Sequence, residues 1–127
     1  MSDKSVAQKL LFKETYTVLL LNEPENYRVT LGELPAKVTI LTEAKGLVDL
    51  AQVFITSKKE MEATVKKLRV NLKPSSLIWL TYPKGTSRVK ADINRDIIRE
   101  YVEANGFKTV ALVSVDDTWS ALRLKVV

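Results

Sequence analysis

Residues 16–21 form a nearly continuous apolar run, Tyr-Thr-Val-Leu-Leu-Leu. Such a run predicts a strand that is buried on both faces, because helices cover both sides of a parallel sheet. Segments at 38–41, 48–55 and 77–80 are also rich in apolar residues, and a helical pattern follows most of these strands. The pattern predicts an α/β fold, a three-layer Rossmann-like domain of about six strands with helices on both faces.

One long helix is predicted over residues 58–72. Ser57 followed three residues later by Glu60 has the spacing of a capping box, which marks a helix start. Apolar residues then recur at helical spacing, and basic residues crowd the far end, where they complement the helix dipole. Pro74 cannot continue a helix and is expected to end this one. Shorter helices are expected over 5–12 and 24–31.

A second well-marked helix is predicted over residues 95–104, with Asn94 as its N-cap and Gly106 just past its end. Two strands, near 108–115 and 121–127, close the chain, with an Asp-Asp turn between them. A short turn makes neighbouring strands antiparallel. The sheet is therefore expected to be mostly parallel, with one antiparallel strand near the C-terminus.

Composition bounds the classes of function. The 127 residues are expected to form one domain, 1–127. The sequence has no run of about 18 apolar residues, so no membrane span is expected. Cysteine and histidine are absent, which excludes thiolate chemistry and the commonest zinc sites, and no metal site is predicted. The beginning of the sequence has no secretory signal, so a cytoplasmic location is the expectation. The formal charge of +5 fits a solvated surface as well as a nucleic-acid partner.

The turn after the first predicted strand carries Asn22, Glu23, Pro24 and Glu25. In nucleotide-binding α/β folds this turn holds glycines, which let the main chain approach the ligand and direct its N–H groups at charged atoms. Carboxylates repel an anionic group instead, and proline has no N–H to donate. The sequence therefore argues against the usual cofactor of the fold, and neither a cofactor nor a catalytic residue is assigned.

Several segments of the chain resemble the second half of class I methyltransferases that use S-adenosylmethionine. The resemblance lies in Val48-Asp49-Leu50, in Leu72-Lys73-Pro74-Ser75-Ser76 before the strand at 77–80, and in Gly106-Phe107 before the terminal strands. In that superfamily the second of these motifs reads Leu-Lys-Pro-Gly-Gly, so this chain has serines in place of the glycine pair. The resemblance spans roughly residues 10–127 and implies the fold.

The chain is also similar to an uncharacterised bacterial family of small, degenerate methyltransferase-like domains. The segments that carry this similarity are Val18-Leu19-Leu20-Leu21-Asn22-Glu23-Pro24, Trp79-Leu80-Thr81-Tyr82-Pro83-Lys84 and Val115-Asp116-Asp117-Thr118-Trp119-Ser120. The similarity implies a single truncated domain and implies no activity. Glu43 has the position of the acid that holds the ribose in the active superfamily. Because the next strand follows almost at once, the strand–helix unit that walls the adenine is expected to be deleted.

The carboxyl ends of parallel strands meet at one edge of a sheet, where open α/β sheets bind ligands. We call this edge the rim. Its candidate ligand-binding residues are Asn22, Glu23, Glu43, Lys58, Tyr82, Lys84, Asp116, Asp117 and Trp119. Turn formation alone would also explain the aspartates, and Trp119 is either a stacking surface or part of the core.

The segment Lys84-Gly85-Thr86-Ser87-Arg88-Val89-Lys90 is a second candidate site. A glycine-containing loop with three cations and two hydroxyls can hold a phosphate or another anion. The candidate anion-binding residues are Lys84, Gly85, Thr86, Arg88 and Lys90. The segment lacks the arrangement of a Walker loop, and a solvated connection is the competing interpretation.

The leading hypothesis is a non-catalytic methyltransferase-like domain that binds a small ligand or a partner protein at the rim. One alternative is an enzyme of another chemistry, with Lys84, Tyr82 and Asp117 as acid–base groups. A second alternative is nucleic-acid binding through the basic loop 84–90, which predicts an affinity that falls steeply with salt. The chain is expected to be a monomer, or a homodimer paired through an edge strand at 108–115.

Overall fold

The computed structural model of the chain describes residues 5–43 and 45–127, which form helices around a six-stranded sheet. In chain order the elements are α1 (Val6–Lys9), β1 (Thr17–Leu21), α2 (Tyr27–Leu31), β2 (Thr39–Leu41), β3 (Val48–Phe54), α3 (Lys58–Leu68), a 3-10 turn (Arg69–Asn71), β4 (Leu72–Pro83), α4 (Arg95–Ala104), β5 (Phe107–Ser114) and β6 (Trp119–Val126). None of the described helices has the length and apolar character needed to cross a membrane.

The order of strands across the sheet is β2-β1-β3-β4-β6-β5. β1 pairs in parallel with β2 and β3, and β3 pairs in parallel with β4. β6 lies antiparallel between β4 and β5, so β5 points the same way as the first four strands. The predicted fold class, a mostly parallel Rossmann-like sheet with one antiparallel strand near the C-terminus, is confirmed.

Two apolar layers enclose the sheet. α3 and α4 cover one face, and α1 and α2 cover the other. Successive leucines of β1 alternate between these layers, because side chains of a strand point to opposite faces: Leu19 packs under α3 and α4, and Leu20 packs under α1 and α2. Full burial of such a side chain stabilises the fold by about 2 kcal/mol. This double burial explains why the residues of β1 after Thr17 are all apolar.

The long helix begins at Lys58 as predicted, but its capping contacts and its end differ from the prediction. Ser57 Oγ accepts from the Glu60 main-chain N–H at 3.1 Å, as predicted. The Glu60 carboxylate, however, accepts from the main-chain N–H of Thr56 at 2.7 Å, so the capping box is displaced by one residue. α3 also ends at Leu68, not at residue 72.

Pro74 does not end a helix, because it lies inside β4. The ladder between β3 and β4 shifts register after the pair of Val48 and Leu72. Within the shifted stretch Ser76 Oγ accepts from the Lys73 N–H at 2.8 Å and donates to the Val48 carbonyl at 2.6 Å. A side chain thus replaces the main-chain ladder there, and the missing N–H of proline costs no hydrogen bond.

Of the remaining helices, α4 agrees with its prediction, whereas α1 and α2 are shortened by residues in the left-handed backbone conformation. α4 has the predicted bounds, and Asn94 Oδ1 accepts from the N–H of Ile97 at 2.9 Å. The opening helix is shorter than the predicted 5–12, since Leu11 has a φ of 66°. α2 begins after Asn26, whose φ is 65°, rather than at Pro24. Positive φ at these residues is incompatible with a continuous α-helix.

Candidate functional site

The carboxyl ends of β1, β2, β3, β4 and β5 assemble the rim, and β6 begins there. The structure therefore brings the predicted rim residues to one edge of the sheet. They come from five different segments: Asn22 and Glu23 follow β1, Glu43 follows β2, Lys58 begins α3, Tyr82 and Lys84 lie at the end of β4 and just after it, and Asp116 and Asp117 connect β5 to β6, which begins with Trp119.

Glu23 and Arg28 close the turn after β1. The Arg28 guanidinium donates to both carboxylate oxygens, from Nε to Oε1 at 2.8 Å and from Nη2 to Oε2 at 3.0 Å. A bidentate pair of this kind fixes both side chains in one geometry. Asn22, with a φ of 60°, donates from Nδ2 to the Phe54 carbonyl of β3 at 3.4 Å. Side chains of the turn and of α2 therefore hold this part of the rim together.

The main chain of the same turn directs its described hydrogen bonds inward. The N–H of Tyr27 donates to the Pro24 carbonyl at 3.1 Å. The N–H groups of Val29 and Thr30 donate to the Asn26 carbonyl at 3.1 and 3.4 Å. Pro24 has no N–H. These amides belong to the start of α2 and are not offered to a ligand, whereas the N–H groups of Glu23, Glu25 and Asn26 have no acceptor among the described hydrogen bonds.

A cleft of about 310 Å³ lies beside this turn, between β1, β2 and α3; we call it the β1–β2 cleft. It is lined by Leu21, Asn22, Thr42, Glu43, Thr64 and Lys67. Glu43 pairs with Lys45 at 3.6 Å, but both side chains are about three-quarters exposed, so this pair contributes little. β2 is the edge strand, and among the described residues no further strand walls the cleft on its outer side.

A second cleft, of about 320 Å³, lies under the loop between β4 and α4; we call it the loop cleft. Its lining includes Lys84, Gly85, Ser87, Val89, Lys90 and Ile93. Lys84 Nζ donates to Ser114 Oγ of β5 at 2.6 Å, and its main-chain N–H donates to the Thr118 carbonyl at 2.7 Å. The predicted anion-binding segment thus borders an actual concavity, with Thr86 and Arg88 exposed beside it.

The turn between β5 and β6 is a structural unit. Asp116 Oδ1 accepts from the main-chain N–H groups of Thr118 and Trp119, both at 2.8 Å. Trp119 is 8% exposed, and its ring meets that of Phe54 edge-on at 5.0 Å between centroids. The indole therefore packs in the core under α1 and α2, and Asp117 alone of this turn's acids stays exposed.

The three groups proposed for acid–base chemistry are not joined. Tyr82 is buried, and burial raises the pKa of its phenol, with the nearby Arg95 opposing this rise and Asp96 adding to it. A phenol with a raised pKa is less ionised at neutral pH, so less phenolate is present to act as a base. Within the described residues no hydrogen bond or ion pair connects Tyr82, Lys84 and Asp117.

Lys58 contributes its main chain rather than its side chain to the rim. Its N–H donates to Asp92 Oδ1 at 2.8 Å, which ties the loop before α4 to the start of α3. An anionic side chain at this end of a helix is stabilised by the helix dipole. The side chain of Lys58 is exposed.

Three residues that organise the rim were not predicted from the sequence: Arg28, Asp92 and Ser114. Arg28 lies five residues after Glu23, a spacing that no regular helix pair has. Ser114 is 30 residues from Lys84 in the sequence. The two residues meet because of the order of strands in the sheet, which the local sequence pattern does not predict. In residues 5–43 and 45–127, no group of three or more acidic side chains could hold a metal ion.

Comparisons with known proteins identify the fold. No protein-family model and no curated protein sequence matches the chain. Among solved structures, a SAM-dependent methyltransferase from Aquifex aeolicus is 15% identical, with a TM-score of 0.66 over 96% of this chain and 88% of that one.

Two other solved structures agree with it. The ribosomal protein L11 methylase from Lactobacillus delbrueckii subsp. bulgaricus is 11% identical, with a TM-score of 0.65 over 95% of this chain and 74% of that one. A TehB-like SAM-dependent methyltransferase from Corynebacterium glutamicum is 9% identical, with a TM-score of 0.62 over 99% and 90%. The chain has the fold of SAM-dependent methyltransferases.

Proposed function

We propose that the chain is a non-catalytic methyltransferase-like domain that binds a small ligand or a partner protein at its rim. We further infer that it belongs to the uncharacterised bacterial family of degenerate methyltransferase-like domains that its sequence resembles. The observation that carries the proposal is the closed turn after β1, where Glu23 and Arg28 form a bidentate pair and Pro24 has no N–H.

The first support is electrostatic. S-adenosylmethionine carries a carboxylate, and the fold normally receives charged groups with main-chain amides at the turn after β1. In this chain Glu23 and the exposed Glu25 occupy that turn. Two carboxylates about 4 Å apart repel by about 1 kcal/mol in water, and by more at a partly dry site. Because Arg28 compensates much of the charge of Glu23, we assign the larger share of this repulsion to Glu25.

The second support is the shape of the β1–β2 cleft. Only residues 42–47 lie between β2 and β3, and β2 is the outer strand of the sheet. The resemblance to active methyltransferases implies a further strand–helix unit that walls the adenine. Without that unit, an adenosyl group would have one ring face in water and would lose the apolar contacts that hold it.

Native mass spectrometry on protein purified from its own cells tests the proposal. We expect a retained small-molecule mass, or a bound protein of defined stoichiometry, that differs from S-adenosylmethionine and S-adenosylhomocysteine. Lys84→Met at the rim should reduce its retention, and Lys66→Met on the exposed side of α3 is the matched control. A retained mass of the methyl donor or its product contradicts the proposal, and so does protein that carries nothing in any preparation.

A further inference from the structure

We propose that the loop cleft binds the phosphate of a small phosphorylated molecule, held by Lys84, Lys90 and the hydroxyl of Ser87. The inference rests on the proposed function, since it names the class of ligand that the rim would take. It depends on three features of the cleft: its charge, the fixed position of Lys84, and its shape.

The lining of the cleft includes two cations, Lys84 and Lys90, and no carboxylate. The segment 84–92 contains three cations, Lys84, Arg88 and Lys90, and one carboxylate, Asp92. The Asp92 carboxylate accepts the main-chain N–H at the start of α3, so it is engaged away from the loop. None of the ion pairs found in the described part of the chain involves any of the three cations. Positive groups that converge on a concavity without acidic partners attract an anion.

Lys84 is held in place before any ligand arrives. Its main-chain N–H donates to the Thr118 carbonyl, and its ammonium donates one hydrogen to Ser114 Oγ. An ammonium has three donors, so two remain for an anion. A cation that is already oriented loses less side-chain freedom when it binds than a freely rotating lysine would lose.

The cleft is closed enough for a small molecule and open where a phosphate would approach the main chain. Buried Ile93 and exposed Val89 give it an apolar side. A β-carbon built on Gly85 would meet no atom within 4 Å, so this stretch of main chain is accessible. Charge-assisted hydrogen bonds to phosphate need such access.

A phosphorylated small molecule fits these features better than a nucleic acid. Single-stranded nucleic acids are held by a groove that follows the backbone and by aromatic rings on which bases stack. Both tryptophans of the chain are buried, Trp79 at 1% and Trp119 at 8% exposure. Trp79 also donates its indole N–H to the Leu10 carbonyl at 2.9 Å, which fixes it in the core. The exposed part of this rim thus offers cations and no tryptophan ring.

Titration of the ¹⁵N-labelled chain with pyrophosphate, at constant ionic strength, tests the proposal by NMR. We expect saturable shifts centred on the amides of residues 84–93. Lys84→Met and Lys90→Met should each weaken the affinity by about tenfold, the effect of one lost charge-assisted bond. Lys66→Met removes the same charge from the exposed side of α3 and should leave the affinity unchanged. Ser114→Ala, which frees the ammonium of Lys84, should weaken it by a smaller factor.

Several outcomes overturn the inference. Shifts that do not saturate, or that the Lys66 variant weakens as much as the Lys84 variant does, mean general attraction between charges. Tighter binding of oligo(dT) than of pyrophosphate, with shifts over much of the surface, means a nucleic-acid interface. A folded Lys84 variant with unchanged affinity removes the site. If pyrophosphate does not bind and S-adenosylmethionine does not bind either, this inference fails and the proposed function stands. If both bind, the proposed function fails and this inference stands.

Discussion

The buried hydrogen bond between Tyr27 and Gln52 gives a sharp prediction about how α2 is anchored to the sheet. Tyr27 Oη donates to Gln52 Oε1 at 2.8 Å, and Gln52 Nε2 donates to Thr81 Oγ1 at 3.1 Å. The three side chains are 2%, 0% and 0% exposed, so water cannot replace a lost partner. The chain of bonds crosses from α2 to β3 and β4, directly behind the turn that closes the rim.

Tyr27→Phe removes the donor and leaves the buried Gln52 oxygen unpaired, which costs about 1–3 kcal/mol of unfolding free energy. The edge-on contact of the ring with Phe54, at 4.6 Å between centroids, is kept. At about 4 °C per kcal/mol for a domain of this size, the melting temperature should fall by about 4–12 °C. Chemical denaturation followed by tryptophan fluorescence measures the free energy, and calorimetry measures the temperature.

Tyr16→Phe is the matched control, because Tyr16 is half-buried and its hydroxyl makes no hydrogen bond within the described residues. Tyr16→Phe should change the unfolding free energy by less than about 0.5 kcal/mol, as is usual for a substitution that breaks no buried hydrogen bond and leaves no cavity. Burial also raises the pKa of the Tyr27 phenol, an effect that outweighs the bond to Gln52. The unfolded phenol ionises near pH 10, so the advantage of the wild type over Tyr27→Phe should shrink as pH rises above about 10. Equal stabilities for the two phenylalanine variants would refute the reasoning.

Two further predictions concern stability away from the rim. Lys73 bonds Asp49 and is the main cause of the lowered pKa of that carboxyl, with the N–H of Thr17 second. The stability that Asp49 contributes is present above its unfolded pKa of about 3.9 and is lost as pH falls through the lower folded value. In an acid titration, Asp49→Asn should therefore lose less unfolding free energy below about pH 4 than the wild type loses. Gly106→Ala should lower the free energy of unfolding, measured by urea denaturation, by about 1–2 kcal/mol, because φ is 89° there and the new β-carbon would approach Arg69 Nη2 to 2.8 Å. An unchanged denaturation midpoint would contradict the need for glycine at this position.

Local pattern predicted much of the fold because local rules governed those elements. α4 combines an N-cap at Asn94 with a left-handed glycine at its end, and its bounds came out as predicted. The apolar run of β1 has one interpretation in a sheet that is covered on both sides. The start of β4 was missed, since Pro74 in a strand depends on the side chain of Ser76, which replaces the ladder with bonds to Lys73 and Val48.

The composition of the rim was predictable, but its contacts were not. The sheet order gathers residues that follow different strands, and this gathering follows from parallel topology alone. The partner of Lys84 depends on β6 lying between β4 and β5, which brings Ser114 within reach. Likewise Arg28 reaches Glu23 only because the turn and the short α2 fold back on each other. Such contacts are set by tertiary structure, so no spacing rule in the sequence predicts them.

Isothermal titration calorimetry with S-adenosylmethionine tests the central claim most directly, namely that the closed turn after β1 no longer receives this cofactor. Cofactor at millimolar concentration should give no saturable heat with the wild-type chain, and Lys66→Met should behave in the same way. Saturable binding with a Kd below about 1 mM, weakened by a bulky substitution at Asn22 but not at Lys66, would contradict the account.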